Sequence, residues 1–562
     1  MEEAESSASI HSFYDRYYST NNSEEDEEEN DDHRTKSRKH APILEEGEDR
    51  ISTLPDSILL SILSFLPTQE AIKTGVLSKR WAYLWTSVPS LSFVLEDPHS
   101  TGYYSELSDN FTKEMARMDD FISAVDHTLL LHRAPKLTNF SVRFKYWTSL
   151  KARLDLWVRF ATTAKVNQLS LDLFLRHIAD IDLEGYQLPQ HLYANEFASK
   201  FNFSYCKIFP NGLLHWSSLK HLCIGQSALS DDVIREVLMG SPRLESLELH
   251  DCWEFNRLDI VSESLRKLVI DSYVIHMLKG KVRELELEIV APKIHSLEIL
   301  GNFEKVKCRI KDVSALVEAK LDFDMRKSHD CYYEDDFRAE YYKKYYEEEE
   351  GYKEYQDIVR DILDSVHHVK KLTVGNWCLM IVSIMSVQDL PSTLSKCQCL
   401  TIVTSMEKWS LPGIGILLQS SPYVETLNFD FPSSRPQTPL KFLVSRYDEV
   451  NHWKSKEIYF KFLLQCLKSI KIKLFYFEGI HTKEFIFLVQ FLLTNAKVLE
   501  KMVITNALPM RDAKVLEKMV ITNALPMRDP KPNMLLKSLR VALMLLNFPR
   551  SSPHAVVTFP YH

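Results

Sequence analysis

Between residues 244 and 321 the chain repeats a short unit with apolar side chains at its first, fourth and sixth places. The four copies are Leu244, Leu247, Leu249; Leu265, Leu268, Ile270; Ile294, Leu297, Ile299; and Leu316, Ala319, Leu321. Their first positions lie 21, 29 and 22 residues apart. Alternation over the last places marks a short strand that buries one face. No single unit can bury that face alone, so the copies must stack and share a core. Further copies begin at Leu137, Val166, Leu219, Val369, Val424 and Leu499, with weaker ones near Ala198, Cys397 and Leu467. A stricter echo aligns VLMGSPRLESLEL (237–249), LLQSSPYVETLNF (417–429) and LLTNAKVLEKMVI (492–504) without gaps, with Glu245, Glu425 and Glu500 in register. In each, an apolar helix end leads through a turn into a strand. The pattern predicts an α/β solenoid: a curved sheet of short parallel strands with outer helices.

The period, within ~20–29 residues, resembles that of leucine-rich repeats, and assigns such repeats to residues 130–460. A different logic governs residues 49–93, which are dense in Leu, Ile and Trp and contain neither Cys nor His. Stretches below ~40 residues rarely stand alone without disulfides, metals or a partner, so another protein is expected to complete this one. Pro55 suits a first helical turn behind Thr53 as cap, with Asp56 at the positive end of the dipole. Ile58, Ile62 and Leu66 form one apolar stripe, and Leu59 and Leu63 a second beside it. Pro67 stops this helix, and Thr68 is expected to cap the next, Gln69 to Leu77. Ser78 is expected to cap a third, carrying Lys79, Arg80, Trp81, Leu84 and Trp85 until Pro89.

These residues resemble the F-box of plant proteins, whose typical form runs D-R-I-S-x-L-P-D-x-I-L, I-L-S-F-L-P-T, S-V-L-S-K-R-W, L-W. The one departure is Gly75 where Ser is usual; glycine lowers helix stability by about 1 kcal/mol relative to Ala. The resemblance implies a three-helix F-box over 49–95 that docks a Skp-type adaptor, and through it cullin and RING subunits. The adaptor contacts it points to are Leu54, Pro55, Ile58, Leu59, Ile62, Leu63, Leu66, Val76, Leu77, Trp81, Leu84 and Trp85. Residues 461–562 resemble the FBD region that follows the repeats in plant F-box proteins, through CLKSIKIKLFYFEG, FLLTNAKVLEKMVI and LLNFPRSSP.

Three segments break the pattern. Residues 1–48 form an acidic arm with the composition of disorder, nearly all acid from Glu24 to Asp32. Residues 331–357, rich in Tyr, Glu and Lys, predict a polar loop or solvated helix projecting from the solenoid. AKVLEKMVITNALPMRD at 496–512 recurs letter for letter at 513–529. A 17-residue unit is shorter than the solenoid period, so only one copy can take a strand position.

Composition narrows the function. A net charge of −9 argues against nucleic acid as a partner. The longest apolar run, Phe485–Leu493, is too short to span a bilayer, and the start MEEAESSASI lacks the basic and apolar regions of a signal peptide. Nine scattered cysteines without a CxxC pair point to reduced thiols. With 14 glycines in 562 residues there is little material for phosphate-cradling loops, and Gly413-Ile-Gly415 predicts a turn before a helix. No G-x-S-x-G, H-E-x-x-H or G-x-x-x-x-G-K motif occurs. Asp322, Asp324, His329 and Asp330 read as solvated loop charges, and His177, His191 and His215 have no fixed spacing to a nucleophile. No catalytic residue, metal site or cofactor is expected.

The resemblance therefore implies a non-catalytic, substrate-recognition subunit of a Skp–cullin–F-box ubiquitin ligase, its repeats holding a target protein. The alternative is an adaptor-binding scaffold that delivers nothing for degradation. A receptor for an inositol phosphate would need a concentrated Lys/Arg set, which the composition does not suggest. The short basic cluster Arg34–Lys39 is compatible with a nuclear address, so the expected location is nucleus and/or cytoplasm.

Overall fold

The computed structural model describes residues 51, 53–96, 108–134, 136–174, 185–273, 285–304, 306–325, 349–385, 394–404, 406, 409–431, 463–474, 482–506 and 549–558. The chain divides into two compact units, Met1–Ser227 and Ala228–His562. The acidic arm, residues 326–348 and the second copy of the duplicated stretch lie outside the described residues.

In the first unit, helices Asp56–Leu63 and Thr68–Lys73 each begin behind a proline, Pro55 and Pro67, at the cap position. Proline has no side-chain acceptor, and neither cap makes a side-chain hydrogen bond. Pro55, not Thr53, stands at the cap position of the first helix, and the expected cap Thr68 is itself the first helical residue of the second. The second helix is shorter than expected, tightening into a 3-10 turn at Thr74–Val76 around Gly75. The third shrinks to one turn, Trp81–Leu84, continued by a 3-10 turn at Trp85–Ser87. Ser78 contributes its backbone carbonyl to that turn rather than its hydroxyl, accepting from Trp81 and Ala82 N–H.

The chain then enters a parallel sheet directly. Strand β1 (Ser90–Val94) pairs with β2 (Asn139–Lys145), followed by β3 (Gln168–Phe174), β5 (Lys200–Ser204) and β7 (His221–Gly225). Two short strands, β4 (Tyr186–Gln187) and β6 (Cys206–Lys207), pair apart from it. Leu91, Phe140, Leu169, Phe201 and Leu222 stand in one buried file across this sheet, and Phe93, Val142, Leu171, Phe203 and Ile224 in the next. Helix Ser108–Leu131 intervenes between β1 and β2, and Lys151–Thr163 between β2 and β3. The first of these was not expected.

The second unit extends the same logic over ten strands. In order they are β8 (Ser246–Cys252), β10 (Lys267–Tyr273), β12 (Ser296–Asn302), β14 (Glu318–Asp324), β15 (Lys371–Val374), β16 (Cys399–Val403), β17 (Thr426–Asp430), β18 (Ser469–Leu474), β19 (Lys501–Asn506) and β20 (Val556–Thr558). Leu247, Leu268, Leu297, Ala319, Leu372, Leu400, Leu427, Ile470 and Met502 form one continuous buried file. The registered glutamates have a backbone role: Glu245, Glu425 and Glu500 carbonyls accept from Lys267, Ser469 and Val556 N–H of the next strand. The first copy of the duplicated stretch supplies β19.

The outer layer is only partly helical. Helices Asp231–Gly240, Glu349–Ser365, Asn376–Ile384, Ser410–Ser420 and Thr482–Asn495 belong to it. A second parallel sheet also belongs to it: β9 (Arg257–Asp259), β11 (Leu285–Val290) and β13 (Val306–Ile310). The polar insertion ends inside helix Glu349–Ser365, which is packed rather than projecting: Tyr355 meets Trp377 edge-on at 5.5 Å, and Ser365 Oγ donates to Ile310 O at 2.8 Å. Gly413-Ile-Gly415 likewise sits within a helix buried at every position but Gln419, not at a turn before one. A Cβ on Gly413 would come within 2.6 Å of Leu379 O and closer still to Ser383 Oγ. Gly413 N–H donates to that hydroxyl at 3.0 Å, so the glycine permits two buried helices to approach.

Candidate functional site

The N-terminal module builds its own core. Leu59, Leu63, Ala71, Ile72, Trp81, Leu84, Trp85 and Val88 pack together with Ala124 of helix Ser108–Leu131, and Leu131 lies partly buried against them. One apolar side is thus covered from within the chain. Trp81 and Trp85 keep only 6% and 4% of their surface, and Trp85 Nε1 donates to Ala82 O at 3.0 Å. Arg80 ties the module's ends: its Nε donates to Asp56 Oδ1 at 2.8 Å, and its Nη2 to Leu54 O. That pair is exposed and worth little on its own; its role is to fix the start of the first helix beside the third.

The twelve residues expected to face an adaptor therefore separate. Leu59, Leu63, Trp81, Leu84 and Trp85 are buried in the module's core, where two helices and the following turn need them. Pro55, Ile58, Ile62, Val76 and Leu77 are exposed, and Leu54 and Leu66 half-buried. Phe65, 88% exposed, joins the exposed set and was missed. Its spacing from Ile58 and Ile62, at i+7 and i+3, was the available signal. Isolated exposed apolar residues are ordinary, but seven large ones (Ile51 and Tyr83 with Ile58, Ile62, Phe65, Val76 and Leu77) within a 45-residue segment mark a candidate interaction surface.

The solvent-facing rows of the sheets offer a second kind of surface, largely polar. In the first unit Ser92, Ser141, Ser170 and Asn202 stand in register, Asn202 Nδ2 donating to Ser170 Oγ at 3.2 Å. In the second, Lys267 pairs with Glu298 at 2.8 Å, and His250 Nδ1 lies 3.3 Å from Asp271 Oδ2. The His250 hydrogen bond holds the Asp271 carboxyl below its ordinary pKa. Asp322 is not a solvated loop charge: it is on β14 beside Gly375, and burial pushes its carboxyl up. His329, Asp330 and His177 lie outside the described residues. His191 sits in a turn, its pKa lowered by burial and by Arg159, while His215 N–H donates to Tyr193 O. Burial raises the thiol of Cys308 to about 12 and that of Cys397 to about 12, which leaves them inert.

Comparison with known proteins accords with this division. Residues 51–93 match the family model of the F-box domain, and residues 154–317 that of the leucine-rich repeats of the FBD-associated F-box protein At5g56370. The chain is 30% identical over 438 residues to the F-box/LRR-repeat protein At5g02910 of Arabidopsis thaliana, covering 76% of this chain and 83% of that one. It is also 30% identical over 409 residues to the F-box/LRR-repeat protein At3g03360 of Arabidopsis thaliana, covering 71% and 73% respectively.

Proposed function

The chain belongs to the F-box/LRR-repeat family, and from that premise we propose that it is the substrate-recognition subunit of a Skp–cullin–F-box ubiquitin ligase. The F-box domain supports docking to a Skp-type adaptor, and cullin and RING subunits join through that adaptor. The observation that carries this reading is the exposed apolar set Ile58, Ile62, Phe65, Val76 and Leu77 on a module whose core is already closed. A folded module with such a face has apolar area to bury on a partner, at roughly 25 cal/mol per Å². The polar sheet faces would hold a target protein, and holding it beside the ligase raises the effective concentration of its lysines. The chain itself then needs no catalytic group.

Co-precipitation with a Skp-type adaptor tests this directly. The triple variant Ile58→Asp, Ile62→Asp, Leu77→Asp should lose the adaptor while keeping its circular dichroism spectrum. Full retention of binding would sink the assignment. Stabilisation of some cellular protein when the chain is removed separates a degrading receptor from a scaffold; unchanged turnover favours the scaffold.

A further inference from the structure

A groove of about 400 Å³ opens in the first unit between helix Lys151–Thr163 and the loop after helix Ser108–Leu131. That volume is within the ~300–1,000 Å³ range of ligand sites. Its apolar lining comes from Leu156, Phe160, Ala134 and Ala164, and Arg159 stands at its wall. Leu156 is 58% exposed. The His132 ring at the far wall packs edge-on against Phe160, 6.0 Å between centroids, and hydrogen-bonds Val88 O at 2.9 Å.

The surrounding charge is lopsided. Residues 132–165 hold eight Lys or Arg and one acid, Asp155, in a chain whose net charge is −9. This is the concentrated basic set that whole-chain composition conceals. Half of it is neutralised locally: Arg143 pairs with Asp172 at 3.3 Å, Lys145 with Glu114 at 2.9 Å, Lys151 with Asp155 at 2.9 Å, and Arg153 with Asp126 at 2.7 Å. Lys136, Arg159 and Lys165 make no ion pair among the described residues. Lys136 precedes Leu137, whose N–H donates to Ala164 O, so it lies at the same end of the groove as Ala164 and Lys165.

The complementary charge exists in the same chain. From Glu24 to Asp32 eight of nine residues are acidic, preceded by Phe13, Tyr14, Tyr17 and Tyr18. Asp32 is 19 residues from Ile51, where the described part of this unit begins; a coil of 19 residues spans roughly 25 Å. The groove starts at the last turn of the F-box, where Arg133 N–H donates to Thr86 O at 2.7 Å. We propose that this groove is a docking site for the chain's own acidic arm, residues 24–32, with the preceding aromatic residues supplying the apolar contact. Tethering makes the encounter intramolecular, so weak pairwise attractions suffice at an effective concentration on the order of millimolar. The attraction is screened beyond about 8 Å at physiological salt, so it is released as salt rises.

Site-specific photo-crosslinking in the full chain tests the proposal. With Leu156→p-benzoylphenylalanine, irradiation at low salt should give an intrachain crosslink that mass spectrometry maps to Glu24–Asp32 or the aromatic stretch before it. The yield should fall at least fivefold when the eight arm carboxylates become amides, and likewise with Lys136→Glu, Arg159→Glu and Lys165→Glu combined. Thr163→p-benzoylphenylalanine provides a second probe should the first misfold. A crosslink elsewhere, one joining two copies, one undiminished by the amide arm, or none from either folded probe overturns the proposal.

Discussion

Thr68 Oγ1 accepts the backbone N–H of Ser92 at 2.7 Å. Ser92 lies on β1, the first strand of its sheet, and this N–H points away from β2. The F-box helix Thr68–Lys73 thereby closes an edge that would otherwise offer unpaired backbone groups to another chain. The apolar module and the repeat sheet share one hydrogen-bonded seam.

Removing that hydroxyl tests the seam. Thr68→Val keeps the shape and leaves a half-buried N–H without its partner, at a cost of about 1–3 kcal/mol. Urea denaturation should show that loss, and Thr68→Ser should recover most of it. Equal stability of all three proteins would mean the contact contributes nothing.

The buried and exposed parts of the F-box should respond differently. Trp81→Ala or Trp85→Ala empties the core and should cost about 3–5 kcal/mol. Ile58→Ala or Leu77→Ala should change stability by no more than about 0.5 kcal/mol while weakening adaptor binding. Thermal melts paired with adaptor titration would reveal the split.

Asp322 and Asp271 should give opposite pH dependence. Burial raises the Asp322 carboxyl above its unfolded value, so folding loses stability as pH rises from the ordinary carboxylate range through that raised value. Asp322→Asn should therefore stabilise the protein at pH 7.5, with the gain vanishing below pH ~4. Asp271 is lowered, chiefly by His250; its contribution is present above the ordinary carboxylate range and is lost as pH falls through the lowered value. Asp271→Asn should destabilise at neutral pH. Denaturation series at several pH values would expose a wrong sign for either residue.

Gly413→Ala should destabilise even though alanine favours helices by about 1 kcal/mol. The added methyl meets Leu379 O and Ser383 Oγ of the neighbouring helix, and overpacking of this kind typically costs about 1–3 kcal/mol. A raised melting temperature would show that the helices separate freely.

The repeat strands were legible because their signal is local: each begins with the same apolar spacing, and the register of Leu247, Leu268 and Leu297 follows from it. The same spacing also exists at Val88, Leu91 and Phe93, all buried. There the strand signal is overlaid by the end of the F-box motif, which spans the same residues. The outer strand Leu285–Val290 alternates plainly, yet a repeat is expected to place a helix there. What the sequence could not separate was a module's own core from its docking face. Trp85 and Leu77 are both large and apolar, and only three-dimensional packing, with Ala124 of a distant helix in the same core as Trp85, shows which one is hidden.

The Val88–Leu91–Phe93 strand bears on how such genes recombine. A docking module transferred between relatives by cutting at Pro89 would take Thr68 and leave Ser92 behind, so that its new strand has to supply the matching N–H. It would also forfeit Ala124, which closes the donor's core. The smallest heritable cassette that keeps both contacts runs through helix Ser108–Leu131. The docking module and the first strand of the sheet would thus travel as one unit, because one hydrogen bond belongs to both.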